Sequence, residues 1–244
     1  MKVEIWSDYV CPFCYIGKRK FEAALERFEG KRNVETIYRS FELDPNARRN
    51  AGHDVHDMLA SKYGMSREQA MAMNADVGRQ AQEVGLNYRF DTMIPTNTFD
   101  AHRLSHFAAA NGKAHEMTER LLKAYFTDSR HIGDHETLAE LADEVGLDKQ
   151  AAAETLAGGD YAEEVRFDEQ EATRFGVRGV PFFVINRKYA VSGAQPSEVF
   201  LQTLQKAWEE ERPLTILNDP GDSAADAACV DGICAPSASK TANN

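Results

Sequence analysis

The sequence predicts an α/β protein in which a small mixed sheet is interrupted by an all-helical insertion and followed by a cysteine-bearing tail. Three observations lead there. A strand, a helix and a second strand fit within the first forty or so residues. A block from about 50 to 175 then carries helical periodicity, with no convincing strand longer than 86–90. Two short strand runs and one more helix return before residue 211.

The elements follow in order. KVEIW (2–6) alternates and is β-prone, so it reads as a strand feeding directly into Cys11. Ile16, Phe21, Ala24, Leu25 and Phe28 recur at helical spacing, and Gly30 punctuates the end. VETIYRSF (34–41) is the second strand, and the β-α-β order predicts a parallel pair. In the helical block, Ser66 with Gln69 has the capping-box spacing, and that helix runs to about Gly85. Helices are expected over 98–110 and 113–126, over 134–145 capped by Asp134, and from Asp148 to the Gly158-Gly159 pair. Asp160 with Glu163 is expected to open another, through about Phe175. PFFVI (181–185) and KYAVSG (188–193) flank Asn186-Arg187 as an antiparallel hairpin. Pro196 suits the start of a final helix through Glu211, with Val199, Phe200, Leu204 and Trp208 on its apolar face.

Composition narrows the function classes. The chain has 244 residues and a net charge of −11, a poor match for phosphate backbones or anionic membrane surfaces. No run approaches the ~20 apolar residues of a membrane span. Charges begin at Lys2 and Glu4, unlike a signal peptide, so a soluble cytoplasmic protein without nucleic-acid or membrane partners is expected.

Four cysteines are too few for a disulfide-stapled scaffold, and their placement is the informative part. Cys11-Pro-Phe-Cys14 sits where a strand gives way to a helix, and Cys229-Val-Asp-Gly-Ile-Cys234 lies near the end. At a helix N-terminus, unpaired N–H groups and the helix dipole favour an anion, so Cys11 reads as the exposed attacking thiolate. Cys14 lies within the first turn and reads as the more buried resolving sulfur. Pro12 fits because its missing N–H would be an orphan there. Two alternatives stay open on these residues alone: half of a zinc site, or an inert buried pair. Pro181 opens a hydrophobic strand and is a candidate for a cis X-Pro bond.

Several segments in the same order resemble the FrnE-like members of the DsbA family, thioredoxin-fold thiol–disulfide oxidoreductases. They are WSDYVCPFCYIG (6–17), SFELDP (40–45), NTFDAHRL (97–104) and GVRGVPFFVINRKYAVSGAQP (176–196). The resemblance covers roughly 1–211. It implies a thioredoxin-like domain from 1–49 and 176–211 with a helical insertion domain at 50–175; composition makes 212–244 a C-terminal tail carrying the second Cys pair. It further implies catalysis by Cys11 and Cys14, a cis bond at Pro181, and a Val180 backbone presented to substrate. The substrates would be protein or small-molecule thiols and disulfides, with glutathione a candidate partner and no cofactor or metal. The same superfamily holds the glutathione-dependent 2-hydroxychromene-2-carboxylate isomerases and kappa-class transferases, which typically carry serine where Cys11 stands. Those enzymes are the alternative function; a metal-binding or stress-interaction protein is the non-enzyme rival. Pro-Phe between the cysteines suggests a redox potential between the oxidising and reducing extremes.

His102, in NTFDAHRL, is either substrate-facing or a packed, hydrogen-bonded histidine. The pairs His53/His56 and His131/His135 have no third ligand at fixed spacing and are expected to be solvated. Met58, Met65, Met71 and Met73 are expected to pack in core or groove. Residues 219–244, with four Asp against one Lys, are expected to be a mobile tail. A flexible 16-residue span from Pro213 to Cys229 would reach roughly 20–24 Å, enough to bring Cys229 and Cys234 to Cys11. The pair is then a second redox centre or a local clamp.

Overall fold

The computed structural model describes residues 1–211 and the backbone of 229–230 and 233–234. The chain runs β1 (Lys2–Ser7), α1 (Pro12–Arg27), β2 (Glu35–Ser40), α2 (Val55–Tyr63), α3 (Arg67–Gln82), α4 (Phe99–Ala110) and α5 (Ala114–Phe126). It continues through α6 (His135–Glu144), α7 (Lys149–Ala157), α8 (Ala162–Arg174), β3 (Phe182–Ile185), β4 (Tyr189–Ser192) and α9 (Ser197–Glu211). The strand order is β2-β1-β3-β4, with β1 and β2 parallel and the other pairs antiparallel. This is a thioredoxin-like fold, with the helical segment between β2 and β3.

Alternation along β1 sends its side chains to two different cores. Val3 and Ile5 join Phe21, Ala24, Phe200 and Leu204, so α1 and α9 cover that face. Trp6 joins Ala172, Val177 and Val184 beneath α8 on the other. Glu4 is buried on the Trp6 side and accepts hydrogen bonds from Arg39 and Arg187. Burial pushes this carboxyl up, but the two guanidinium groups more than offset it, and it lies below its ordinary range. A strand covered on both faces loses the exposed half of its alternation, which explains five buried residues in succession.

The helical segment is no separate body. Residues 1–211 form one compact unit, and a single core contains Leu104, Leu121, Leu122, Phe126 and Leu138 together with Tyr9, Tyr15 and Ile16. The cysteine-bearing end of α1 is itself part of this core. Arg103 supplies a second tie. Its buried guanidinium donates to the carbonyls of Thr155, Leu156, Gly158 and Asp160, satisfying orphan groups at the end of α7.

Several expectations need correction. The helix Val55–Tyr63 went unread; Asp54 caps it and Gly64 ends it in the left-handed region at φ 66°. The capping box at Ser66 is present, whereas Asp160 caps nothing. Tyr161, at φ 61°, precedes α8 without a side-chain cap bond. In the hairpin, Asn186 and Arg187 both take positive φ, and β4 begins only at Tyr189 because Lys188 belongs to the turn closed by its N–H on the Ile185 carbonyl. Met71 and Met73 are exposed. His56 is buried, held between the Asn74 amide and the Asp91 carboxylate.

Strands β5 (Cys229–Val230) and β6 (Ile233–Cys234) pair antiparallel, with Cys229 opposite Cys234. The rest of the expected tail, including LTIL (214–217) and most of the span from Pro213 to Cys229, lies outside the described residues.

Candidate active site

The strand-to-helix junction after β1 places both thiols. Cys11 is the N-cap of α1, in extended backbone at φ −88° and ψ 112°, and Pro12 occupies the first helical position. The Cys14 N–H reaches back to the Cys11 carbonyl at 3.0 Å, closing the first turn with the two cysteines together. Both are free thiols. Contrary to the expectation of an exposed nucleophile, Cys11 is 4% exposed and Cys14 only 2%. What reaches solvent is Phe13 between them, at 39%.

The second side of the site is the turn into β3. The Val180–Pro181 bond is cis. The Cys11 thiol points at the Val180 carbonyl, with Sγ 3.5 Å from the oxygen. Gly17, one turn further along α1, lies against Pro181 so closely that a Cβ there would sit 2.9 Å from the proline Cγ. The structure thus brings together Cys11 and Cys14 with Val180 and Pro181, two pairs that lie far apart in the chain.

Beneath them, the Asp8 N–H donates to Cys14 Sγ at 3.5 Å. Burial and the neighbouring Cys11 thiol push the Cys14 thiol well above its ordinary range, and the Asp8 N–H only partly opposes the shift. The Asp8 carboxylate is buried, accepting from the Leu43 N–H at 2.8 Å and facing His102 Nε2 at 3.4 Å. His102 is 2% exposed and packs on the Tyr9 ring, so the packed reading of this histidine is the one the geometry supports.

Two neighbours of the site escaped the sequence reading. Asp8 was within reach, standing directly before the cysteine motif in the quoted WSDYVCPFC. Tyr88 was not: its hydroxyl donates to the Pro12 carbonyl at 2.7 Å, and its ring stacks on Phe126. It reaches the site from a non-helical segment 76 residues further along the chain, and nothing local marks that approach. Among the described residues, no group of three or more His, Cys, Asp or Glu side chains is arranged to hold a metal ion. Nor is any helix there long and apolar enough to cross a membrane.

Comparison with known proteins agrees with this geometry. The DSBA-like thioredoxin domain matches residues 2–205. A probable DsbA oxidoreductase from Streptomyces coelicolor is 45% identical in its crystal structure, with a TM-score of 0.84 over 97% of this chain and all (100%) of that one. The uncharacterized protein YwbO of Bacillus subtilis (strain 168) is 32% identical over 212 residues, 86% of this chain and 96% of its own length. At 17% identity, a 2-hydroxychromene-2-carboxylate isomerase shares the fold, with a TM-score of 0.63 over 86% of this chain and 95% of its own. With two thiols at the first turn of α1 and a cis-proline facing them, the chain belongs to the DSBA-like thioredoxin domain family.

Proposed function

We propose that the protein is a thiol–disulfide oxidoreductase of the FrnE-like branch, working in the cytoplasm through Cys11 and Cys14 on protein or small-molecule substrates, glutathione among them. The observation that carries the reading is the placement of two free thiols at one helix N-terminus, with Cys11 Sγ 3.5 Å from the Val180 carbonyl. In the reducing direction, the Cys11 thiolate attacks a substrate disulfide R–S–S–R′, forming Cys11–S–S–R and releasing R′–S⁻. Cys14, deprotonated, then attacks the Cys11 sulfur. The mixed disulfide breaks, R–S⁻ leaves, and the enzyme is left with a Cys11–Cys14 disulfide, having given up two electrons. Run backwards, the same steps oxidise a substrate dithiol.

The parts divide this work. Cys11, at the N-terminus of α1, is the attacking sulfur, while burial pushes the Cys14 thiol up. Val180 and Pro181 are the substrate-facing backbone, beside the Cys11 thiol. The isomerase alternative needs only one nucleophilic or thiol-binding position at Cys11 and leaves Cys14 unused.

Cys229 and Cys234 are proposed as a second redox pair that exchanges electrons with the first. Their backbone supports closure of a disulfide between them. Partners facing each other across an antiparallel ladder have Cα atoms about 4.5–5.5 Å apart, within the disulfide range. Replacing both with serine is expected to slow reoxidation of Cys11–Cys14; unchanged kinetics would reduce the pair to a local clamp.

The direct test is insulin reduction by the wild type and Cys11→Ser. The variant is expected to lose activity, and equal rates would refute the proposal.

A further inference from the structure

The short connection between β1 and Cys11 is held by α4. The Tyr9 hydroxyl meets that of Ser105, and the Tyr9 ring packs on His102 with centroids 4.8 Å apart. The Asp8 carboxylate is buried and has two partners among the described residues: the Leu43 N–H at 2.8 Å and His102 Nε2 at 3.4 Å. A carboxylate only accepts, so the hydrogen of the second contact sits on Nε2. His102 lies in α4 and Leu43 in the segment after β2, 94 and 35 residues from Asp8. Both ties on this side chain therefore come from other parts of the fold.

What they fix is the backbone of Asp8, which serves both cysteines. Its carbonyl accepts from the Cys11 N–H at 3.2 Å, and its N–H donates to Cys14 Sγ at 3.5 Å. Cys14 is almost wholly enclosed, so its thiolate gains little from water and depends on donors that the fold supplies. A hydrogen bond strengthens when its acceptor becomes charged, so the Asp8 N–H contributes most as Cys14 turns nucleophile. Loss of the His102 tie has two consequences. Asp8 becomes freer to rotate its N–H away from the sulfur, and its buried carboxylate is left with one partner fewer. Both disfavour negative charge on Cys14.

We propose that Asp8 and His102 form a positioning couple for the resolving step: His102 orients Asp8, and the Asp8 N–H stabilises the charge that develops on Cys14. The inference rests on the Cys11/Cys14 reading and adds what makes the enclosed sulfur reactive. In that step Cys14, its proton given to solvent, attacks Cys11 Sγ. The Cys11–S–S–R bond breaks, R–S⁻ departs with the electron pair, and the Cys11–Cys14 bond forms; the substrate disulfide is the oxidant. Asp8 touches the reacting sulfur through its backbone, whereas His102 is a positioning residue that acts through Asp8.

The test separates the two thiols' chemistry. The parent protein is the full chain carrying Cys229→Ser and Cys234→Ser, so that Cys11 and Cys14 alone report. Reduced protein is mixed with one equivalent of 5,5′-dithiobis(2-nitrobenzoate) in a stopped-flow instrument, and each release of 2-nitro-5-thiobenzoate is followed. The first release reports attack by Cys11 and the second reports resolution by Cys14. His102→Leu fills the space without a donor, whereas His102→Gln brings an amide N–H near the position of Nε2. His102→Leu is expected to lower the ratio of second to first rate about tenfold, the scale of one hydrogen bond to a charged group. His102→Gln is expected to restore most of that ratio. A merely packed histidine predicts the opposite ranking, because leucine suits a buried site better than glutamine. That ranking would overturn the couple, as would parent ratios in both variants or an equal fall in both. Should His102→Leu fail to fold, His102→Asn decides, since its shorter amide stops short of Asp8. A ratio lowered about tenfold there supports the couple, and a parent ratio overturns it. Absence of a second release in the parent would instead overturn the Cys11/Cys14 reading itself.

Discussion

Gly17→Ala should disable the site without unfolding the protein. Gly17 lies within α1, where alanine is favoured over glycine by about 1 kcal/mol. The added Cβ, however, would lie 2.9 Å from Pro181 Cγ, with the Ala194 Cα and Cβ each at 3.5 Å. Carbon pairs settle at about 3.5–4.0 Å, so about 0.5–1 Å must be found between α1 and Pro181. Ala194 blocks an easy slide of the helix. Overpacking of this kind costs about 1–3 kcal/mol, and the helix gain offsets part of it, leaving a net loss of about 0–2 kcal/mol. Turnover should suffer more, because a displacement near 1 Å between reacting groups can cost about a hundredfold. Gly78→Ala is the matched control. Its Cβ, in α3, would meet only Phe90 Cε2 at 3.7 Å, an ordinary contact, and it should stabilise by about 0.5–1 kcal/mol. The assays are urea unfolding and insulin reduction on both variants. A Gly17→Ala protein that gains as much stability as Gly78→Ala and keeps wild-type turnover would refute the reasoning.

Three further outcomes follow from named contacts. Glu119 accepts from Lys18 and Tyr15 at 2.5 Å each and also from Arg19, joining α1 to α5. Burial pushes its carboxyl up but these donors more than compensate, so its native value lies below the ordinary ~4.3. A depressed carboxylate contributes stability above its unfolded value and loses it as pH falls through the native one. Glu119→Gln should therefore destabilise by about 1–3 kcal/mol at pH 7, and urea unfolding should show a clearly smaller difference at about pH 3; equal differences would count against the network. Arg103→Ala strands four carbonyls and removes one of the Asp100 carboxylate's partners, and should lose about 3–5 kcal/mol by the same method. Arg103→Lys should recover only part, because an ammonium cannot reproduce the fork. Cys14→Ser should accumulate a mixed disulfide at Cys11 when mixed with a thiol-bearing substrate disulfide, detected as an added mass that reductant removes.

The sheet and most helices were legible because the local signals agreed with the packing. Alternation marked β1, and the Ser66 and Asp134 caps fixed two helix starts. Val55–Tyr63 escaped because its nine residues are too short to display helical periodicity and its cap, Asp54, lies in a polar run. Tyr161 displaced Asp160 from the cap of α8 through backbone geometry that composition does not encode. At the site, the cysteines and Pro181 were visible as motifs. Their shared burial was not, because the covering groups arrive from distant segments: Val180 and Tyr88 lie 169 and 76 residues from their partners Cys11 and Pro12.

The central claim, that Cys11 and Cys14 form a reversible disulfide that exchanges with substrate thiols, is tested most directly by redox equilibrium. The protein is incubated over a series of reduced-to-oxidised glutathione ratios, alkylated, and its free thiols assigned by mass spectrometry of peptides. The account predicts that Cys11 and Cys14 lose their alkylation together, as one reversible two-electron transition, and that Cys11→Ser abolishes it. Two cysteines that stay alkylated at every ratio, or that oxidise independently of each other, would contradict it.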